Sequence, residues 1–311
     1  MSESKNTSKY PSDLTDEEWV EAQKVFPEHL GLPGVSEAKY SVRELLNAIF
    51  YKQKTGCQWE MLPKDFPPWK TVTRYFYPWK KAGLFEKLRR DVVADVREQA
   101  GEARTPTAAI FDSKSVPKGS LQGPTGVDGG KKVKGHKRHI ATDKMGMIIG
   151  VLITPASMHD GVAGAILLAM IFLYYPTIQL VTGDSKYSCE AMKKVCEQLG
   201  IKYEERIREE GQKGFIPIPL RWPVERTFGW QMWSRQLSKG YDHTKESLGA
   251  WVDIAMTRLG LRRLFGRPAR LRQLESLLTA TSPSSSSLCM QSTTRKGTSL
   301  SISALIRKTQ T

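Results

Sequence analysis

The sequence predicts an α/β fold in which a layer of strands and helices follows an all-helical amino-terminal region. Between residues 14 and 100 the apolar residues recur at helical spacing, and two capping boxes mark the starts of helices. After residue 104 the pattern changes to short apolar runs that alternate with helical segments. Strands and helices that alternate in this way are typical of an α/β layer.

The first two helices of the amino-terminal region have recognisable starts. Thr15 and Glu18 form one capping box, and Ser41 and Glu44 form the second, with Gly56 as the expected end of the second helix. These signals place short amphipathic helices on either side of residue 40.

A third helix, predicted to begin after Pro67-Pro68, has a polar and basic face. That face carries Lys70, Thr71, Thr73, Arg74 and Tyr75. Pro78 should kink or end this helix, because proline cannot donate a hydrogen bond to the carbonyl of Arg74. Three short helices with a basic third one are similar to a helix-turn-helix that reads the major groove of DNA, and a plain helical bundle with a solvated face is the alternative.

The α/β part is predicted from its apolar runs. Strands are expected at 107–111, 139–143, 146–154, 178–182 and 202–206, with a tight turn at 144–146 and helices at 162–175, 190–198, from 224 and at 245–264. The composition then changes, and residues 281–311 are rich in Ser and Thr. The expected organisation is a flexible start (1–13), a helical DNA-binding domain (14–103), a catalytic α/β domain (104–270) and a disordered tail (281–311).

The charge balance favours a polyanionic partner. Forty-seven Lys and Arg residues against 32 Asp and Glu residues leave a formal charge of +15, which suits nucleic acid or an anionic membrane surface. The longest apolar core, 162–175, is shorter than the roughly 20 residues of a spanning helix, so no membrane is expected. The four cysteines form no CxxC pair, which favours reduced thiols in a cytosolic protein.

Three acidic residues are candidates for catalysis. Asp112 and Asp184 each follow an apolar run that predicts a strand, and carboxylates at the ends of neighbouring strands point into one cleft. Glu225 lies near the third position of a helix that begins near Pro223, at the edge of an apolar stripe of Val224, Phe228 and Met232. Each acid taken alone is commonly a turn or helix cap.

Taken together, the three acids imply a bound cation. Two like charges about 4 Å apart repel by roughly 4 kcal/mol at an effective dielectric constant of 20, so such a cluster needs either raised pKa values or a divalent ion. Oxygen ligands favour Mg²⁺ or Mn²⁺, and two such ions are suited to phosphodiester transfer.

A run of basic residues precedes the strand at 139–143. It contains Lys131, Lys132, Lys134, Lys137 and Arg138. Its charges are expected to lie over the mouth of the acidic cleft and to hold DNA by its phosphates, whereas a solvated face is the alternative. His139 either approaches the site or is a core histidine, and His159-Asp160 is interpreted as a helix cap.

Several motifs resemble those of bacterial insertion-sequence transposases. They are Asp112-Ser-Lys-Ser-Val116, the run 126–139, Pro155-Ala-Ser157, Arg221-Trp-Pro-Val-Glu-Arg-Thr-Phe-Gly-Trp230 and Arg235-Gln-Leu-Ser-Lys239. The chain is identified by them as a member of the DDE type, in the insertion-sequence-five group, and the likeness runs from about residue 14 to 264.

This resemblance implies both a fold and a function. The fold is a ribonuclease-H-like core, a mixed sheet flanked by helices, with Asp112, Asp184 and Glu225 as the catalytic and metal-binding triad. The implied activity is metal-dependent cleavage and strand transfer at terminal inverted repeats, on double-stranded DNA that includes a target, by a homodimer assembled on DNA in the bacterial cytoplasm at the nucleoid. The DNA-binding residues are expected to be Lys70, Thr73, Arg74, Lys131, Lys132, Lys134, Lys137, Arg138, Arg221, Arg226 and Lys239.

One departure from the family pattern bears on activity. Asp184 is followed by Ser-Lys-Tyr, where the family usually has Gly-Gly-Tyr. The alternatives to an active transposase are a decayed or domesticated DNA-binding protein, and a nuclease that cuts without joining.

Overall fold

The computed structural model describes residues 9–27, 39–119, 125–205, 222–242 and 244–266. The amino-terminal helices are α1 (Asp16–Gln23), α2 (Val42–Thr55), α3 (Trp69–Lys81) and α4 (Leu84–Gln99). The elements that follow are β1 (Ala108–Pro117), β2 (Gly126–Asp128), β3 (Val133–Thr142), β4 (Ile148–Pro155), α5 (Asp160–Phe172), β5 (Leu180–Gly183), α6 (Glu190–Leu199), β6 (Lys202–Glu205), α7 (Trp222–Met232) and α8 (Lys245–Phe265). The Ser-rich tail at 281–311 lies outside the described residues.

Both predicted capping boxes are present. The hydroxyl of Thr15 accepts the backbone N–H of Glu18, and the Glu18 carboxylate accepts the backbone N–H of Thr15. Ser41 and Glu44 make the same reciprocal pair. Gly56 ends α2 in the left-handed region at φ 67°, as the sequence predicts.

The third helix differs from its prediction in three ways. It continues through Pro78 to Lys81, because proline removes a single backbone hydrogen bond while Phe76 and Trp79 remain buried in the core. Tyr75, expected on the polar face, is also buried. Residues 56–68, with a 3-10 turn at Trp59–Met61, separate α2 from α3. This connection is longer than the three or four residues that join the helices of a helix-turn-helix.

The sheet is mixed, and its two longest strands lie near its centre. The strands follow the order β4-β3-β1-β5-β6, with β2 alongside the beginning of β3. Strands β1, β3 and β4 are antiparallel, whereas β5 pairs parallel to β1 and β6 pairs parallel to β5. The expected turn between β3 and β4 is closed by a hydrogen bond from the N–H of Gly146 to the carbonyl of Asp143.

The two faces of the sheet are covered by different helices. Successive side chains of a strand point to opposite faces. Ser113 of β1 and Lys137 of β3 contact Asp160 of α5, so they define the α5 face. Lys114 of β1 and Arg138 of β3 contact residues of α7, so they define the α7 face.

Helix α5 covers its face of the sheet with one side only. Ala163, Leu167, Leu168 and Ile171 are buried, and the predicted core helix is confirmed on this side. The opposite side is 39–45% exposed at Val162, Ile166 and Met170. Within the described residues no helix combines the length and the apolar character that crossing a membrane requires.

The amino-terminal helices and the sheet share one hydrophobic core. Phe76 of α3 stacks on Trp251 of α8 with ring centroids 4.9 Å apart, and the core continues into the strands through residues such as Ile148. Arg89 of α4 lies 2.7 Å (Nε–Oδ1) from Asp253 of α8 and also donates to the carbonyl of Ile148. The predicted boundary near residue 103 therefore does not separate two cores, and the division into functional domains stays a prediction.

Candidate active site

Asp112 lies in the middle of β1 rather than at its end. The strand continues to Pro117, because the polar residues after Asp112 pair with β3 as far as Gly135. Asp112 is half-buried on the α7 face and accepts the backbone N–H of Ser113 at 2.7 Å. Since β5 pairs with β1 only through Ile110, it leaves this part of β1 uncovered on one side.

Asp184 follows β5 directly, as the sequence predicts. In the parallel pairing of β1 with β5, Ile110 lies opposite Thr182. Asp112 and Asp184 therefore each lie two residues beyond this last paired position of two neighbouring strands. The Asp184 carboxylate caps the 3-10 turn Ser185–Tyr187 by accepting the N–H of Lys186 at 3.1 Å, and the Lys186 side chain is exposed.

Tyr187 is buried beneath these carboxylates. Burial raises its pKa well above the usual value, and the charges of Asp112, Asp160 and Asp184 raise it further. Its ring contacts Phe111 at a centroid distance of 6.0 Å. The tyrosine therefore remains a neutral phenol in the floor on which Asp112 and Asp184 lie.

Glu225 lies on the first turn of α7, which packs against β1 and β3. Val224 and Phe228 are buried as predicted, but Met232 is 52% exposed and Gln231 is buried in its place. After Phe228, helical spacing allows the buried stripe to continue at either 231 or 232. Residue 231 is the buried one here, because the side-chain oxygen of Gln231 accepts a hydrogen bond from the buried Arg138.

The turn between β3 and β4 supports α7 next to Glu225. Thr227 donates its hydroxyl to the carbonyl of Gly146 at 2.6 Å, and Arg226 donates to the carbonyl of Met145 at 3.0 Å. Gly146 has φ 76°, and a Cβ atom there would lie 2.9 Å from the carbonyl oxygen of Pro223. Only glycine allows α7 to approach the turn so closely. The guanidinium of Arg226, expected at DNA, instead supports this contact and lies over the ring of Trp230.

The chemistry of these side chains fits a hard divalent cation, since carboxylate oxygens are the ligands that Mg²⁺ and Mn²⁺ prefer. Asp112 and Asp184 supply two such groups on neighbouring strands. Among the residues that the structure describes, no three acidic, histidine or cysteine side chains lie close enough together to hold a metal ion. Convergence of Glu225 on the two aspartates therefore stays a prediction.

The basic run is a β-hairpin and part of β3, not a loop that leads into a strand. Lys131 and Lys132 follow β2, and Lys134 lies near the start of β3; all three are exposed. Lys137 and Arg138 are buried, with only 7% and 2% of their surfaces exposed, so neither is accessible to a DNA backbone in this structure. The prediction that all five basic residues contact DNA is therefore wrong for Lys137 and Arg138.

Lys137 belongs to a buried polar cluster on the α5 face. Its ammonium lies 2.9 Å from Oδ1 of Asp160 and 3.9 Å from Oδ2 of Asp128. His139 accepts or donates a hydrogen bond at Thr154, and burial lowers the pKa of His139 to about 4, so it is a neutral core histidine. His159 caps α5 by accepting the N–H of Gly161, as predicted. Nothing in the sequence indicates that Asp160 lies in this buried cluster as the ion-pair partner of Lys137.

The remaining candidates for DNA contact lie in several places. On α3, Lys70 and Arg74 are exposed and Thr73 is half-buried, with its hydroxyl donating to the carbonyl of Lys70. Lys239 is exposed after the 3-10 turn Arg235–Leu237. Arg221 lies outside the described residues.

Two family models match the chain. The model described as "Putative transposase of IS4/5 family" matches residues 14–89, and the model "Transposase DDE domain" matches residues 103–247. No curated protein gives a significant match. Among solved structures, the catalytic core domain of BIV integrase matches with 15% identity over 56% of this chain and 97% of that chain. Its TM-score of 0.29 is too low to carry an argument about this chain.

The match to the DDE domain runs from just before β1 into α8, and it covers the mixed sheet and the helices on both of its faces. The sheet is mixed and has helices on both faces, as the predicted fold class requires. The match identifies this region as a transposase DDE domain. It also confirms the predicted kind of enzyme, one that acts on DNA and belongs to a family that uses divalent metal ions. The chain therefore belongs to the DDE transposases of the insertion-sequence 4/5 family.

Proposed function

We propose that this transposase binds the terminal inverted repeats of its own insertion sequence, hydrolyses strands there, and joins the free 3′ hydroxyls to target DNA. The observation that supports the proposal is the register of β1 and β5, in which Asp112 and Asp184 each lie two residues beyond the last paired position, Ile110 opposite Thr182. Asp184 caps a 3-10 turn with one carboxylate oxygen, and its other oxygen and the carboxylate of Asp112 are the kind of ligand that a divalent cation prefers.

In this proposal Asp112 and Asp184 would hold the two ions of Mg²⁺ or Mn²⁺, and Glu225 would supply a further carboxylate ligand. Two such ions, when bound, activate the attacking oxygen and stabilise the leaving oxygen of the phosphodiester. The protein fixes the two aspartates on a buried sheet and holds α7 against the turn at 143–146. Lys186, which follows Asp184 in place of the family's usual glycine, is exposed to solvent.

The proposed DNA contacts follow the exposed basic residues. Lys131, Lys132 and Lys134 contact the phosphates near the cleavage point, and Lys70, Thr73 and Arg74 of α3 contact the repeat, together with Arg221 and Lys239. Arg226, Lys137 and Arg138 maintain the structure behind this surface. We further propose that the active form is a homodimer assembled on DNA at the bacterial nucleoid, in the cytoplasm.

Incubation with Mg²⁺ and a DNA duplex that carries the ends of the element tests the function. The duplex can be copied from the DNA that borders the gene. The proposal expects cut 3′ ends and their joined products. Cutting without joining would identify a nuclease, and binding without cutting would identify a DNA-binding protein that has lost catalysis.

The basic hairpin makes a separate prediction about salt. Replacing Lys131, Lys132 and Lys134 together by Ala should flatten the plot of log binding constant against log salt concentration by about 2 to 3 units. The reason is that each lost phosphate contact releases roughly one counterion fewer. Removing three exposed lysines elsewhere, Lys87, Lys193 and Lys194, is the matched control and should leave the slope as it was. An unchanged slope for the hairpin variant would show that the hairpin does not contact the DNA.

A further inference from the structure

Lys114 lies next to Asp112 on the same face of the sheet. The two residues are two positions apart in β1, so their backbones are separated by about 7 Å and their side chains point to the same face. Both residues lie beyond Ile110, the last residue of β1 that β5 covers. The Lys114 side chain is half-buried, and its ammonium lies 3.1 Å from the sulfur of Met232 at the end of α7.

A second cation lies directly across the strand pair from Lys114. In the pairing of β1 with β3, Lys114 is opposite Arg138. Like charges that face each other across two strands destabilise the sheet. Neither side chain forms an ion pair with any carboxylate of the described residues, and the contacts of Lys114 and Arg138 are instead a sulfur, an amide oxygen and a backbone carbonyl.

Arg138 is buried and incompletely satisfied. It donates to the side-chain oxygen of Gln231 and, at 3.2 Å, to the carbonyl of Leu237, while its Nε atom has no hydrogen-bond partner. Burying a cation without a counter-charge is costly. The buried Arg138 and the half-buried Lys114 together therefore carry positive charge that an anion bound near Lys114 would neutralise.

The two cations differ in what they can reach. Arg138 is enclosed between β3, α7 and the 3-10 turn Arg235–Leu237, so it fixes these elements and cannot touch DNA. Lys114 is only half-buried, and its flexible chain carries a compact charge with three donors. The anion that would lie within its reach, at the mouth of the aspartate pair, is a phosphate of bound DNA.

We propose that the ammonium of Lys114 binds a non-bridging oxygen of the phosphodiester that is cut. Arg138, which lies opposite Lys114 on β3, positions α7 and the Lys114 ammonium. This assignment rests on the proposed function, because it takes Asp112 as the centre of catalysis. It adds a substrate-binding residue on β1 to the exposed hairpin lysines.

A chemical comparison of two DNA duplexes tests the proposal. One duplex carries the element's end with an ordinary phosphate at the cleavage position, and the other carries a neutral methylphosphonate there. Affinities are measured with Ca²⁺ in place of Mg²⁺, so that the DNA stays uncut. Lys114→Ala should weaken binding of the ordinary duplex about tenfold, the size of a charge-assisted hydrogen bond. It should leave binding of the methylphosphonate duplex unchanged.

Control variants separate the proposal for Lys114 from the proposed function of the whole chain. Lys114→Arg, which keeps the charge, should retain most of the affinity, and Lys194→Ala, an exposed lysine on α6, should bind both duplexes as the unmutated chain does. Lys114→Gln repeats the test if the alanine variant fails to fold. Equal losses on the two duplexes, or no loss on either, would overturn the assignment. Failure of the unmutated chain to cut DNA in Mg²⁺ would instead contradict the proposed function, while the affinities would still report on Lys114.

Discussion

Replacing Asp112 by Asn is expected to lower the rate of strand cleavage in Mg²⁺ on the order of 10³-fold. The substitution keeps the volume of the side chain and its place in β1, but it removes the negative charge that the cation needs. Asp112 is half-buried between β3 and the end of β5, so a shift of the strand cannot bring another carboxylate into its place. Single-turnover cleavage of a labelled duplex that carries the element's end measures the effect.

The matched control is Asp91→Asn on α4, an exposed aspartate paired with Lys87 at 2.7 Å. This variant should cleave at the rate of the unmutated chain. Affinity for DNA should not fall in Asp112→Asn, because removal of a negative charge reduces repulsion of the phosphates. Cleavage by Asp112→Asn within a few-fold of the unmutated rate would exclude this residue from the metal site.

The second large effect concerns stability. Changing Arg97 to Ala should lower the free energy of unfolding by about 3–5 kcal/mol, because it leaves a buried carboxylate without its counter-charge. Arg97 of α4 lies 2.6 Å (Nη1–Oδ2) from Asp143, and the Asp143 side chain is fully buried. The other carboxylate oxygen of Asp143 accepts the backbone N–H groups of Met145 and Met147, so it cannot turn towards solvent.

Urea unfolding followed by circular dichroism measures this loss. Arg104→Ala is the matched control, because Arg104 also pairs with two carboxylates but is 50% exposed, and exposed pairs contribute about 0–1 kcal/mol. Equal midpoints for the two variants would show that the buried pair contributes no more than a surface pair. Since α7 rests on the same turn through Thr227, the Arg97 variant should also lose cleavage activity at temperatures at which it remains folded.

Local signals in the sequence predicted most of the elements of the fold. Capping residues and glycine mark helix ends through hydrogen bonds between near neighbours, so Thr15, Ser41 and Gly56 could be interpreted directly. Pro78 could not, because burial of Phe76 and Trp79 by distant residues outweighs the one hydrogen bond that proline removes. The shared core of α4, α8 and the sheet depends on contacts between residues more than a hundred positions apart, such as Arg89 with Asp253, which no periodic pattern encodes.

The candidate site also contains both residues that the sequence predicts correctly and residues that it does not. Asp184 was predictable because a buried strand ends just before it. For Asp112 the sequence predicts the end of a strand, because the polar residues that follow give no sign of the continuation that pairing with β3 stabilises. Lys137 and Arg138 are basic like Lys131 and Lys134, and the sequence does not show that helices cover both faces of β3 at residues 137 and 138. The partner of Lys137, Asp160, lies 23 positions away and looked like a simple helix cap.

The claim that Asp112, Asp184 and Glu225 hold the catalytic metal ions is tested most directly by titration of Mn²⁺ into the protein, with the free ion followed by electron paramagnetic resonance. The unmutated chain should bind Mn²⁺, and Asp112→Asn, Asp184→Asn and Glu225→Gln should each weaken that binding about tenfold or more. Asp91→Asn should bind as the unmutated chain does. Unchanged Mn²⁺ affinity in all three variants of the triad would contradict the account.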